Sequence, residues 1–182
     1  EADQLFEQLL QTDLRSAELF YENARSKEML ADTTAQLALL DSAVNANSRP
    51  FLREAAPYIW ARATALFNTG KYRQAVADFN EYEKLLGNNL NANFYYIREQ
   101  AELNGRQFQQ ALDDIKKATE MAPDDFIYWA ERASLEIRVS LTDDAIRSAQ
   151  TCINVAPDES DGYLFLGLAQ CLKNNKAEGL RN

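Results

Sequence analysis

The sequence contains no histidine, two cysteines, four prolines and six glycines in 182 residues. Nor does any apolar run approach the roughly 20 residues that cross a bilayer. Each shortage excludes something. Without imidazole, histidine-based acid–base chemistry and most zinc sites are ruled out. Cys152 and Cys171 are too few for a disulfide framework or a thiolate metal cage, and both are expected to be reduced. Scarce Gly and Pro, with sparse β-branched residues, leave little to break a helix. Ala, Leu, Glu, Gln and Arg, which favour helices, are abundant, so the chain reads as all-α. Basic charge is also short: 19 Lys and Arg against 28 Asp and Glu give a net charge of −9. That balance argues against a duplex nucleic-acid partner or adhesion to an anionic membrane, and favours solubility. There is no nucleophile–base pair, phosphate-cradling glycine loop or calcium-loop spacing, so no catalytic residue, cofactor or metal is expected. No signal peptide is visible and the first residue is Glu1, which suits either a processed product or a trimmed one; the compartment, cytoplasmic or exported, stays open.

What is present is internal repetition. Three segments end in related phrases: Lys84-Leu85-Leu86-Gly87-Asn88-Asn89, Thr119-Glu120-Met121-Ala122-Pro123-Asp124-Asp125 and Asn154-Val155-Ala156-Pro157-Asp158-Glu159. Pro123 to Pro157 is 34 residues, as is Ala111 to Ala145, while Ala75 to Ala111 is 36. Units at 56–89, 92–125 and 126–159 place Ile59, Tyr95 and Trp129 at position 4. Ala63 and Ala133 stand at position 8, with Glu99 as the exception, and Ala75, Ala111 and Ala145 at position 20. Spacing and residues resemble the tetratricopeptide repeat, a helix–turn–helix of about 34 residues. The style of the repeats is similar to that of bacterial members. The resemblance implies an α-solenoid, a right-handed superhelix of stacked antiparallel helix hairpins. It extends to a degenerate repeat at 17–50 (Phe20, Ala24, Leu40, Ala43), a partial N-terminal helix within 1–16 (Ala2, Phe6, Leu9) and an incomplete repeat at 160–182 (Tyr163, Gly167). Ends that fall within a repeat suit a piece of a longer solenoid, or tails outside the array.

Gly70 and Gly105 are expected to supply the freedom for the turns inside the hairpins. The acidic pairs Asp124-Asp125 and Asp158-Glu159 precede first helices, and Asp143-Asp144 a second helix, where carboxylates cap free amides. Arg62, Arg98 and Arg132 form a column at position 7, and Asp78, Asp114 and Ser148 stand at position 23. Intra-repeat ion pairs Arg62–Asp78 and Arg98–Asp114 are expected; a basic stripe for an acidic ligand is the alternative. Cys152 takes a small-residue position and is expected to be an inert buried thiol.

In the family, positions 2, 5, 9, 12 and 13 of the first helices line a concave groove. Carried onto this chain, the resemblance implies a peptide-binding surface of Trp60, Thr64, Phe67, Tyr96, Gln100, Asn104, Ser134 and Arg138, with Asn68, Asn93, Leu103, Ile127, Ala130 and Ile137 beside them. Trp60 and Tyr96 are candidate anchors, unless they pack against their own helices. The clamp with which chaperone-binding members hold a C-terminal carboxylate needs Lys and Asn at positions 5 and 9. Tyr21 and Arg25, or Trp60 and Thr64, stand there instead, with Asn93 or Ile127 downstream, so that ligand is not expected. The expected function is a non-catalytic scaffold that binds a protein or peptide; a structural spacer or self-association module is the alternative. The sequence leaves partner and oligomeric state open.

Overall fold

The computed structural model describes residues 17–46 and 55–179, which hold nine α-helices and no strand. The N-terminal helix expected within 1–16 lies outside the described residues. Contacts divide the chain into two compact units, residues 1–90 and 91–182.

The first unit contains two hairpins, α1 (Ala17–Met29) with α2 (Thr33–Ala46) and α3 (Ala56–Asn68) with α4 (Tyr72–Leu86), then a 3₁₀ turn at Gly87–Asn89. Helix α2 packs on α3, joining the hairpins. Ala43, Ala63 and Ala75 are completely buried where backbones approach, and Leu40, Ile59 and Phe79 fill the space between helices. Each of these larger side chains contributes about 1.5–3 kcal/mol by leaving water. The second unit contains α5 (Ala92–Asn104) with α6 (Phe108–Met121), α7 (Phe126–Arg138) with α8 (Thr142–Val155), and α9 (Ser160–Gly179) packed on both α7 and α8. Leu112, Ile115, Ala118, Tyr128 and Leu135 belong to its core.

The turn inside each hairpin repeats one geometry, and it corrects the expectation for Gly105. The left-handed residue is position 15 throughout: Ala31 (φ 55°), Gly70 (φ 76°), Arg106 (φ 62°) and Ser140 (φ 64°). Gly105 keeps φ −75°, in the helical region. A backbone bond spans six residues at each turn, from Lys71 N to Leu66 O (2.9 Å), Gln107 N to Glu102 O (2.7 Å) and Leu141 N to Glu136 O (2.8 Å). That bond satisfies carbonyls left open at the end of the first helix, and it demands the left-handed residue whatever its side chain.

Side-chain caps occur at the second helix α2 and at the first helices α5 and α7, while the first helix α3 starts without one. Asp32 Oδ1 accepts from Ala35 N at 3.1 Å, Asn91 Oδ1 from Phe94 N at 3.0 Å and Asp125 Oδ1 from Ile127 N at 3.0 Å. The second helices α4, α6 and α8 start without such a bond. Asp143 and Asp144 therefore do not cap α8. They lie in its first turn, where Asp143 pairs with Lys173 at 2.9 Å and Asp144 with Arg147.

Aromatic packing differs from the simple register as well. In the second unit Phe94 and Tyr128, at position 3, are buried, while Trp129 at position 4 is half-buried. Trp129 Nε1 donates to Pro123 O at 2.8 Å, and Tyr163 OH, at the same position, donates to Pro157 O at 3.1 Å. These rings tie a helix to the proline turn before it. Cys152 is buried, its thiol proton held more firmly by burial, and Cys171 is exposed; both are free.

Candidate functional site

The arginines at position 7 organise the polar interior. Arg62 Nε and Nη2 donate to the two oxygens of Asp78 at 2.7 and 2.8 Å, and Nη1 reaches Asp41 on α2 at 3.1 Å. These bonds, Asp78 first, raise the affinity of Arg62 for its proton. A cleft of about 360 Å³ beside this pair is lined by Leu37, Asp41, Arg62, Leu66, Lys71 and Asp78, among others. Arg98 makes a deeper version of the same fork, Nε and Nη2 to Asp114 at 2.5 and 2.9 Å, beneath the rings of Phe94 and Tyr95.

Arg132 meets Ser148 where the other two meet aspartate, and the charge is balanced from its own helix. Arg132 Nε donates to Glu136 Oε1 at 2.9 Å and Nη1 to Thr119 Oγ1 at 3.1 Å. Ser148 Oγ donates to Glu136 Oε2 at 2.7 Å, so the fully buried carboxylate has a partner on each oxygen.

Two further buried carboxyls lie on α5. Glu102 is pushed up to about 8, first by burial and then by the charge of Asp114, with Arg98 opposing. Glu99 is also pushed up to about 8 by burial and by Glu131 on α7, against a hydrogen bond from Gln100. Gln100 Nε2 donates to Glu99 Oε2 at 2.7 Å, while Glu99 Oε1 and Glu102 Oε2 have no partner. Burial and Asp161 raise Glu131 in turn, with Gln100 and Arg138 opposing. Tyr96 stacks obliquely on Tyr128, ring centres 5.3 Å apart. Its hydroxyl is raised by burial and then by Glu131 and Glu99.

No family model matches the chain. Among curated proteins, the chain is 32% identical over 72 residues to a protein SGT1 homolog of Bos taurus; the match spans 40% of this chain and 21% of that relative. Among solved structures, YrrB, described as a TPR protein with an unusual peptide-binding site, superposes with a TM-score of 0.75 at 17% identity, covering 99% of this chain and 89% of that one. The MamA protein superposes with a TM-score of 0.75 at 16% identity, covering 91% and 86%. The fold is the tetratricopeptide-repeat α-solenoid.

The groove positions of that fold can be followed residue by residue within each unit. In the first, Trp60 is half-buried and packs on Phe79 and Tyr82 of its own hairpin, ring centres 5.4 and 5.1 Å away. The Thr64 hydroxyl donates within its helix, 2.9 Å from Ala61 O, and Phe67 packs on Tyr72 at 5.8 Å. In the second, Tyr96 and Gln100 are half-buried and Asn104 Nδ2 donates to Gln100 O at 2.7 Å. Ser134 is half-buried and Arg138 exposed, its charge opposing the rise of Glu131. Thus Tyr96 and Gln100 belong to one cluster, while Ser134 and Arg138 stand on the facing helix α7. Sequence reasoning missed Glu131 and Glu136; the signal for Glu99 was present, as a long acid where the repeat wants a small residue. It missed the groove positions of the last helix too. There Leu164, Leu168 and Leu172 occupy positions 5, 9 and 13 of a tetratricopeptide unit and are 55%, 46% and 44% exposed.

Proposed function

We propose that the chain is a non-catalytic scaffold that binds a peptide or protein segment on the first-helix faces of its tetratricopeptide units. The exposed leucines on α9 carry this reading. Leu164, Leu168 and Leu172 recur every four residues, leave large apolar surfaces in water, and fall at groove positions of the repeat. Ile127, at position 2 of α7, is likewise exposed. Trp60, Thr64 and Phe67 in the first unit, and Tyr96, Gln100, Asn104, Ser134 and Arg138 in the second, are the proposed lining. The peptide-binding site of YrrB supports the reading by analogy of fold.

The test is capture of peptides from a random display library by wild-type protein and by Trp60→Ala, Tyr96→Ala and Leu168→Ser variants. Loss of capture with retained helicity is expected; capture unchanged in all three overturns the reading. The exposed leucines also suit a second copy of the chain, the self-association alternative. A monomer by light scattering at about 100 μM, where contacts of ordinary affinity would be filled, removes it.

A further inference from the structure

We propose that the segment received by the second unit presents a lysine or arginine side chain, bound between Tyr96, Glu99 and Glu131. This deepens the reading of the first-helix face and rests on it. The argument begins with Glu99. It is completely buried, yet Oε1 has no hydrogen-bond partner, a costly state for a carboxyl group. The other oxygen accepts from Gln100 Nε2 at 2.7 Å, and the same amide favours the charged form of Glu131. An NH₂ group beside two acidic side chains occupies the place that an ammonium or guanidinium donor would take, and it does so without a positive charge.

The surroundings select a cation. From α5 the site is faced by Tyr96, Glu99 and Glu102; from α6 by Asp114; from α7 by Tyr128, Glu131 and, at the far end, Arg138; from the turn before α7 by Asp125; and from α9 by Asp161. Arg138 favours the charged form of Glu131, and Asp161 opposes it. Tyr96 and Tyr128, ring centres 5.3 Å apart, offer aromatic faces beside the acids, which suits a cation on a hydrocarbon stem. No group of three or more acidic or cysteine side chains among the described residues is close enough to hold a metal ion, so the spacing favours an organic cation. When the cation arrives, Gln100 gives way and Glu99, protonated when the site is vacant, releases its proton to solvent and pairs with it.

The test is display selection from a random dodecapeptide library on the wild-type chain, on Glu131→Gln, and on Glu120→Gln as an exposed acid outside the cluster. Wild type and Glu120→Gln are expected to enrich peptides with a Lys or Arg at one shared position, and Glu131→Gln to lose that enrichment. For one selected peptide, replacing that residue by norleucine should weaken binding to wild type about tenfold but leave binding to Glu131→Gln unchanged. Wild-type binding should tighten from pH 6 to pH 9 and Glu99→Gln binding should not; Glu131→Gln keeps the test open if Glu99→Gln fails to fold. Enriched peptides without a basic residue that still need Tyr96 overturn this inference while sparing the surface. Peptides indifferent to Tyr96→Ala overturn this inference, and peptides indifferent to Trp60→Ala and Leu168→Ser as well, or none enriched, overturn both.

Discussion

Hairpins α5–α6 and α7–α8 carry the same arginine at position 7 and balance it differently. In α7–α8 the fully buried Glu136 shares its two oxygens between Arg132 and Ser148. In α5–α6 the Arg98–Asp114 fork is complete, but Glu99 and Glu102 are added around it, each with an unpartnered oxygen. A buried pair alone is weak evidence for stability, and its removal is costly because it strands a charge. The comparison teaches that in α7–α8 the buried charge is satisfied within the scaffold, while α5 carries carboxyls the fork does not satisfy, one of them, Glu99, buried next to Gln100 and Tyr96 where a partner is proposed.

The largest expected effect breaks the fork. Arg98→Ala leaves the buried Asp114 beside Glu102 with only the longer contact to Lys117, 3.6 Å away, and should cost about 3–5 kcal/mol in urea unfolding. Arg132→Ala strands Glu136 less completely, since Ser148 remains, and should cost about 1.5–3 kcal/mol. Equal losses would dissolve the distinction between the hairpins.

Proton linkage sharpens it. Glu102 binds its proton up to about pH 8 in the folded protein, against 4.5 for an ordinary glutamate. Its neutral form is the one the fold favours, so this contribution to stability is fully present below the unfolded value and lost as pH rises through about 8. Urea midpoints at pH 5, 7 and 9 should show Glu102→Gln gaining on wild type with each step. A constant difference across the series would show that the carboxyl is not held neutral by burial.

The smallest effect concerns the turns. Gly70 has φ 76° with open space around a built Cβ, so Gly70→Ala should cost about 1 kcal/mol through the backbone alone. Ser140→Gly should gain about 0.5 kcal/mol, because strain relief is partly offset by a more flexible unfolded chain. Thermal melts of the two variants should move in opposite directions.

The repeat was legible because its markers are local or periodic. Ala75, Ala111 and Ala145 recur at the close approach of helices, and Pro123 and Pro157 stop helices wherever they occur. The opposition of Arg62 to Asp78 also follows from register, since both positions face the interior of one hairpin. Where expectation failed, a three-dimensional requirement had overridden a residue type. The six-residue backbone bond placed the left-handed turn at Arg106 rather than at Gly105, and α8 starts without a side-chain cap from Asp143 or Asp144. The arginine left without an opposing aspartate found Glu136 four residues along its own helix, a partner that spacing permits but does not select.

By itself the sequence determined the all-helical fold, the hairpin register and the short supply of positive charge, because helix propensity and apolar period act within a few turns of chain. Only tertiary structure decided which polar groups are satisfied. Whether Glu99 is an exposed acid or a buried one beside Glu131 depends on how α7 lies against α5. That packing turns an irregularity at position 8 into a buried acid beside the proposed binding face.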